Sequence, residues 1–476
     1  MVGGYVIAVT LARELGPSDY GIYGVIMSVL VWLEMASTSG IPAAIARLLP
    51  EYESRAAELE QTAKAFLLAI CLALFVLCWF LAPWLTALFR IPAGTTLFRI
   101  AILDLPLTGV YYAYQGILNG HRRFGVLSVG FITYSLTKVA GILALVALGL
   151  SVSGALIVNV LATVGVMVYM AFRVPFTRAW PTYTALTQLL RLALPFGLSL
   201  AVLQVLLNLD LWSLKSLWTG GGEVIGMYVA SLNISRMMTA VPMVMGSVLF
   251  ASLSHALARK NNILAQTYLQ AALRFTLVLL VPCCLLLAQH AEDLMAFLYS
   301  SIYRPGGTYL RLQVIAFGLL AVFDLLENSI GAAGKYYRSL TILVSLVPVA
   351  FMLNRVLIPR FGASGAASSV AITMCIGTAM AALLAYHQFG SLIKFLTLLR
   401  IAGATAVMGF LAKQVTVVGF WLPVKFAVLL GVYVLLLALS RELKWQDLKG
   451  FALWQRNSRQ GETDQPAKET GVEACS

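Results

Sequence analysis

Apolar runs of about twenty residues, cut by charged or Pro/Gly-rich breaks, recur along the chain, and a bilayer core about 30 Å thick asks for helices of that length. Segmentation on this rule predicts helices near 1–12, 22–46, 63–89, 97–119, 125–149 and 152–172. A second series follows near 190–212, 223–249, 267–289, 308–330, 338–358 and 364–386, with two more helices at 395–417 and 421–440. The expectation is an all-α polytopic membrane protein of about 14 transmembrane helices. The first helix is short, since only Met1 to Leu11 precede Arg13, about half of a span. A start upstream of Met1 is the preferred explanation, and a short helix that deforms the bilayer is the alternative. A signal peptide is not expected, because no basic region precedes the apolar run and no small-residue cleavage pattern follows it.

The two series look like copies. Gly16-Pro17-Ser18-Asp19-Tyr20-Gly21-Ile22-Tyr23 returns in degenerate form as Gly221-Gly222-Glu223-Val224-Ile225-Gly226-Met227-Tyr228, with Gly16, Gly21 and Tyr23 each meeting an identical residue 205 positions on. Ser153-Gly154-Ala155 likewise returns as Ser364-Gly365-Ala366, 211 positions on. Two echoes in the same order and at nearly one offset indicate two structural repeats, the usual construction of secondary transporters with a site at the repeat interface. Six helices per repeat is an even number, so both repeats start on the same side and are parallel. The expected organisation is a first lobe at 1–174, a cytoplasmic linker at 175–190, a second lobe at 191–388, two extra helices at 389–440 and a cytoplasmic tail at 441–476.

Composition agrees with a lipid solvent. Hydrophobic residues make up 60% and charged residues 11%, with mean hydropathy +0.87, whereas soluble domains carry roughly 25% charged residues. Cys71, Cys78, Cys283, Cys284, Cys375 and Cys475 show no ligand spacing, and His121, His255, His290 and His387 form no cluster. Neither a disulfide framework, a metal site nor a cofactor is implied. The net charge of +13 is mainly a topology signal: of 33 Lys and Arg, 21 fall on one side of the predicted membrane and 10 on the other. The richer side should be cytoplasmic, which places both termini there. The surplus also favours anionic headgroups, and nucleic acid need not be invoked. The tail opens with an amphipathic stretch (Leu443, Trp445, Leu448, Phe451, Trp454) suited to the inner leaflet, and is polar beyond Arg456.

The run Leu11-Ala12-Arg13-Glu14-Leu15-Gly16-Pro17-Ser18-Asp19-Tyr20-Gly21-Ile22-Tyr23, followed by Gly40, Arg47 and Glu51, resembles the opening of the polysaccharide biosynthesis and oligosaccharide (O-antigen-type) flippase family. Asp210 leading to Gly226-Met227-Tyr228, and the loop from Ser252 to Asn262, resemble that family's seventh and eighth helices. The family shares a superfamily with MATE-type multidrug exporters and lipid II flippases. The resemblance implies a MATE-like fold of two six-helix lobes that rock about a central cavity. It also implies a translocase that moves polyprenyl-diphosphate-linked glycans from the inner to the outer leaflet of a bacterial-type plasma membrane. The short first helix departs from the pattern along one wall of that cavity.

A diphosphate crossing hydrocarbon demands a cationic, water-filled cavity, because an unpaired charge at mid-bilayer costs several kcal/mol or more. Arg236 sits at the middle of the eighth predicted helix with no acid within a helical turn, and its planar fork suits phosphate oxygens. A cross-helix ion pair is the competing role. Lys138 lies equally deep in the fifth helix and Glu34 in the second, so mutual neutralisation is the expected arrangement. The alternative makes Lys138 a second diphosphate contact and Glu34 a proton carrier. Asp210 can close an outer gate or answer Arg236, while Lys215 snorkels. Asp324 and Glu327, beside Asn328, can hold a coupling proton or sodium ion, or face a cytoplasmic vestibule, and Asp104 next to Pro106 carries the same ambiguity. Arg13 at the outer mouth is a candidate exit contact, though a solvated loop charge explains it more simply. Pro42 and Pro242 occupy similar places in repeat-related helices and are candidate flex points. Tyr111, Tyr112, Tyr114, Gln115, Asn119, Gln204 and Asn208 offer hydrogen-bonding and stacking surface for sugars, or equally for helix packing.

Deep cations favour an anionic cargo over the cationic drugs of a multidrug antiporter. A lipid II flippase shares the headgroup and is harder to set apart. An integral-membrane glycan polymerase or transferase generally needs a large extramembrane loop or clustered acids, and no connection here is long enough for a catalytic domain. The residues alone reach a two-lobed transporter of an anionic amphiphile, and the glycan comes from the resemblance.

Overall fold

The computed structural model describes residues 2–91, 94–147, 149, 151–174, 179–415 and 419–440. Among them the regular elements are helical throughout. The first half holds α1 (Val2–Thr38), α2 (Ile41–Glu51), α3 (Ala56–Leu88), α4 (Gly94–Ile102), α5 (Asp104–Gly120), α6 (Phe124–Ala147) and α7 (Val152–Ala171). The second holds α8 (Tyr183–Leu206), α9 (Leu209–Leu217), α10 (Gly222–Ser235), α11 (Ala240–Ala258), α12 (Asn262–Gln289), α13 (Ala291–Leu298), α14 (Gly307–Ala332) and α15 (Tyr336–Phe389). Two final helices follow, α16 (Phe395–Gln414) and α17 (Leu422–Leu439). The amphipathic stretch of the tail and residues 175–178 of the linker lie outside the described residues.

Ten stretches are long and apolar enough to cross a membrane, and two of them, Gly3–Glu51 and Tyr337–Phe389, at 49 and 53 residues, are too long for one crossing. Each is a pair. In α1 the chain breaks at Gly16 (φ 69°, ψ 172°) before Pro17, because proline drives its predecessor out of the helical region and glycine alone accepts this positive φ without strain. In α15 it breaks at Gly362 (φ 57°, ψ −132°). Further crossings are built from two pieces each, α4 with α5, α8 with α9, and α10 with α11 across a 3-10 turn at Arg236–Thr239. Fourteen crossings result among the described residues, in the order and near the positions that the apolar runs predict. The first continues past Arg13 and Glu14 to the break at Gly16, still short of a full span.

The outside of the bundle is apolar: Phe80 is 76% exposed, Leu136 63%, Met352 69% and Phe410 64%. A surface of this kind needs lipid as its solvent, and helices satisfy their own backbone groups there. This is a multi-pass membrane protein.

The repeated motif explains itself where α1 meets α10. A Cβ on Gly226 would lie 1.7 Å from the Pro17 carbonyl oxygen, and one on Gly21 would lie 2.8 Å from the Gly226 nitrogen. The two copies of the echo are therefore the two sides of one backbone-to-backbone crossing between the halves. Around it, Asn233 Nδ2 donates to Tyr20 Oη at 2.8 Å and Tyr303 Oη donates to the Ala12 carbonyl at 2.7 Å. These contacts close one end of the bundle. At the other end α11 packs on α12 and α14 of its own half and not appreciably on α2 or α5 of the first. There α8 is stitched instead to the first half, with Arg55 Nη2 donating to Thr184 Oγ1 at 3.0 Å and the Thr182 amide to Thr62 Oγ1 at 3.1 Å. Among the described residues the bundle is sealed at one end and, between α11 and the α2–α5 pair, split at the other.

Candidate functional site

Beneath the seal lies a cavity of about 370 Å³, lined from both halves, and Lys138 of α6 and Arg236 both reach it. Helix breaks set polar groups at its wall, where Arg236 lines it, and behind that wall, where Asp104 and Asp210 are buried. Asp104 opens α5 and Asp210 stands in the first turn of α9, so each buried carboxylate sits at the positive end of a half-helix. Arg236 begins the 3-10 turn that interrupts the eighth crossing. Irregular backbone at membrane depth is tolerated where it is buried in protein or lines a cavity.

In the first half, Lys138 Nζ donates to Asn159 Oδ1 at 2.5 Å and to Tyr134 Oη at 3.3 Å, and Asn159 Nδ2 donates in turn to Asp104 Oδ2 at 2.7 Å. A lysine, an amide and a carboxylate thus form one chain. In the second half, Arg236 Nη2 donates to Asn208 Oδ1 at 3.1 Å, while Asn208 Nδ2 turns back to the Gln204 carbonyl at 2.8 Å. Asp210 Oδ2 accepts from Tyr228 Oη instead. Among the described residues neither cation makes an ion pair with a carboxylate. Asp104 Oδ1 and Asp210 Oδ1 are both buried and without a hydrogen-bond partner, an unusual condition in a folded protein.

Several expectations meet a different arrangement. Glu34 faces Asp104, and the Lys138 ammonium donates to Asn159 and Tyr134, so direct Lys138–Glu34 pairing gives way to the Asn159 bridge. Arg13 has a structural role: its Nε and Nη2 donate to the Leu298 and Phe297 carbonyls, both at 2.8 Å. A cation at the C-terminal carbonyls of α13 satisfies groups the helix cannot satisfy itself, and it ties the first crossing to the second half. Asp324 and Glu327 on α14 are half-buried and lie off the cavity. Asn328 Nδ2 donates to the Asp324 carbonyl at 2.8 Å, and Glu327 faces Ser339. Lys215 ends α9 in a half-buried position. Pro42 stands in the first turn of α2 and Pro242 is the third residue of α11. Both follow a helix break.

The relay residues Asn159, Tyr134 and Tyr228 escape a search for charges. A buried asparagine within an apolar helix is the signal that points to Asn159, which is 3% exposed in α7. Among the described residues no three His, Cys, Asp or Glu side chains gather closely enough to hold a metal ion.

Residues 1–255, more than half of the chain, match the model of the polysaccharide biosynthesis protein family. The chain belongs to that family. It is similar to the EPS I polysaccharide export inner membrane protein EpsE of Ralstonia solanacearum, at 25% identity over 347 residues, covering 70% of this chain and 78% of that protein. Solved structures share the fold. The lipid II flippase MurJ in an inward closed conformation superposes with TM-score 0.78 at 16% identity, covering 94% of this chain and 97% of that one. An inward-facing multidrug resistance MATE family transporter of the MOP superfamily gives 0.71 at 16% identity, covering 82% and 94%. An outward-facing MATE family transporter gives 0.57 at 17% identity, covering 82% and 92%.

Proposed function

We propose that this protein is a flippase that carries a polyprenyl-diphosphate-linked oligosaccharide from the inner to the outer leaflet by alternating access, for assembly of a cell-surface polysaccharide. The observation that carries the proposal is the pair of cations: Lys138 from one half and Arg236 from the other face one closed-ended cavity, and neither is ion-paired with a carboxylate. A buried cation and a diphosphate in hydrocarbon are each costly alone and compensate one another when they meet. At about 370 Å³ the cavity is the size of a small-ligand site. It suits the headgroup, with the glycan extending through the split end. The family and the similarity to a polysaccharide export protein support the same cargo class.

The membrane is the inner membrane of a bacterial-type cell, with both termini cytoplasmic as the Lys and Arg bias implies. The sealed end then faces outward and the split end inward, the state that loads substrate. Asp104 and Asp210, each with an orphaned oxygen, and Glu34 beside Asp104 are the groups we assign to coupling. A proton or a sodium ion taken up there would satisfy the orphan and change the balance of charge around the cations. A multidrug antiporter of cationic drugs is disfavoured, since Lys138 and Arg236 would repel its cargo. A lipid II flippase offers the same diphosphate and differs only in the glycan.

Reconstituted protein should move a fluorescent polyprenyl-diphosphate oligosaccharide across vesicle bilayers and leave a cationic dye behind. Dye transport without movement of the diphosphate lipid would sink the proposal. Preference for a lipid II analogue over an oligosaccharide-linked lipid would shift it to the second reading.

A further inference from the structure

A second cavity, of about 580 Å³, lies where α12 and α16 end and α14 and α17 begin. It shares no lining residue with the central one and is built partly by the two extra helices. The charged and titratable groups that line it are His290, Asp293, Arg311, Lys413 and Lys425. Two are already answered. Arg311 Nη2 donates to Glu292 Oε1 at 2.8 Å, and Asp293 Oδ1 accepts from Arg304 Nη2 at 3.3 Å.

Lys425 is different. It is 8% exposed, stands in the first turn of α17, and has its Nζ 2.5 Å from His290 Nε2. His290 Nδ1 lies 3.2 Å from the Leu286 carbonyl, which fixes the proton on Nδ1 and leaves Nε2 as an acceptor for the ammonium. The ring is therefore neutral, and burial together with the nearby Lys425 charge pushes His290 below the usual histidine range. Phe426 packs edge-on against the same ring at 5.4 Å. Lys425 thus holds a buried positive charge whose direct partner is uncharged, with Lys413 exposed on the same rim. The acid that acts on Lys425, Asp293, is already engaged by Arg304, and with Arg311, Lys413 and Lys425 against Asp293 the lining carries a surplus of positive charge. Surplus buried cations are unfavourable without a counter-charge, so the cavity favours an anion.

Lipid lies alongside. Phe410 on α16 and Val424 and Val428 on α17 present 64%, 49% and 61% of their surface outward, so an acyl chain can run down these helices while its headgroup enters between them. We propose that this cavity binds the phosphate of an anionic bilayer lipid, seated on Lys425 and Lys413 between the second half and the two extra helices. In the orientation proposed above the site belongs to the outer leaflet, and its occupancy does not depend on what the central cavity carries.

The test uses the full purified chain in nanodiscs of phosphatidylcholine doped with phosphatidic acid or phosphatidylglycerol, with retained lipid read by native mass spectrometry. The protein should retain both anionic lipids over phosphatidylcholine. Lys425→Met should weaken that retention about tenfold, the effect of one charge-assisted contact, while Lys260→Met, an exposed lysine elsewhere, should not change it. Should Lys425→Met fail to fold, Lys413→Met gives the same reading with about a threefold loss. Inorganic phosphate at millimolar concentration is the second arm. Weak or absent competition supports a lipid; full displacement with no preference among lipids assigns the site to free phosphate and overturns the lipid. Equal retention by wild type and both lysine variants overturns the site altogether.

Discussion

The two halves solve the same problem differently at the central cavity. Each sets an aspartate at the start of a half-helix, leaves its Oδ1 orphaned, and supplies an asparagine to a cation. In the first half the asparagine joins Lys138 to Asp104, so the charges are coupled through one amide. In the second, Asn208, in the break between α8 and α9, turns back on Gln204 of α8 and Asp210 is taken by Tyr228, so Arg236 makes no ion pair with Asp210. A lysine ammonium is a compact charge easily held in a relay, whereas a guanidinium keeps donors free when one is used. Near-symmetry of backbone with asymmetry of hydrogen bonding gives one fixed cation and one available cation.

The largest expected effect follows from that availability. Arg236→Ala should leave an inserted, folded protein and reduce glycan export in complemented cells by at least about 100-fold, since a bidentate guanidinium–phosphate contact comprises two charge-assisted bonds of about 1.5–3 kcal/mol each. Lys138→Met should reduce export about tenfold and also lower thermal stability, because it strands Asn159 and Asp104 in the bundle. Equal export loss from the two variants, or normal glycan display with Arg236→Ala, would erase the distinction between the halves.

How much of this was legible in the sequence depends on the range of the interaction. The fourteen crossings follow from runs of apolar residues, a local property set by bilayer thickness. The Gly21 and Gly226 echo was visible as a repeat, but its role was not, because the reason for both glycines is the other copy 205 positions away. The carbonyl partners of Arg13 were equally out of reach, since Phe297 and Leu298 are 284 and 285 residues distant. The break at Leu207 carries no Pro or Gly signal, so the half-helix that aims Asp210 was hidden within ordinary apolar text, whereas the break at Leu103 is marked by Pro106 in the first turn of α5. Charged residues announced the depth of the site; the uncharged Asn159 and Tyr228 that decide which charges are joined did not.

The coupling itself can be measured by double-mutant cycles of unfolding. Lys138→Met with Asp104→Asn should show a coupling energy of about 1–3 kcal/mol, as expected for members of one hydrogen-bond chain. Arg236→Met with Asp210→Asn should be additive within about 0.5 kcal/mol. Strong coupling in the second half would mean that Asp210 compensates Arg236 after all, and the guanidinium would then be a structural charge and not a ligand.

The smallest effect is expected at the two prolines, and the reason lies in where the chain bends. In the second crossing the bend is at Gly40, whose φ is 90° and where a Cβ would lie 2.4 Å from the Ala193 carbonyl oxygen of α8. Pro42 comes only afterwards, in the first turn of α2, where a helix has no intrahelical partner for the missing N–H anyway. Pro242 holds a matching place in the first turn of α11, after the 3-10 turn that begins at Arg236. Replacing either proline by alanine changes mainly the entropy of the unfolded chain, by about 0.4–1 kcal/mol, so export should fall no more than about threefold in either half. Gly40→Ala should fall well below both, because the added methyl meets backbone that cannot yield. If Pro42→Ala or Pro242→Ala instead lost as much export as Gly40→Ala, the flex point would belong to the proline rather than to the break before it.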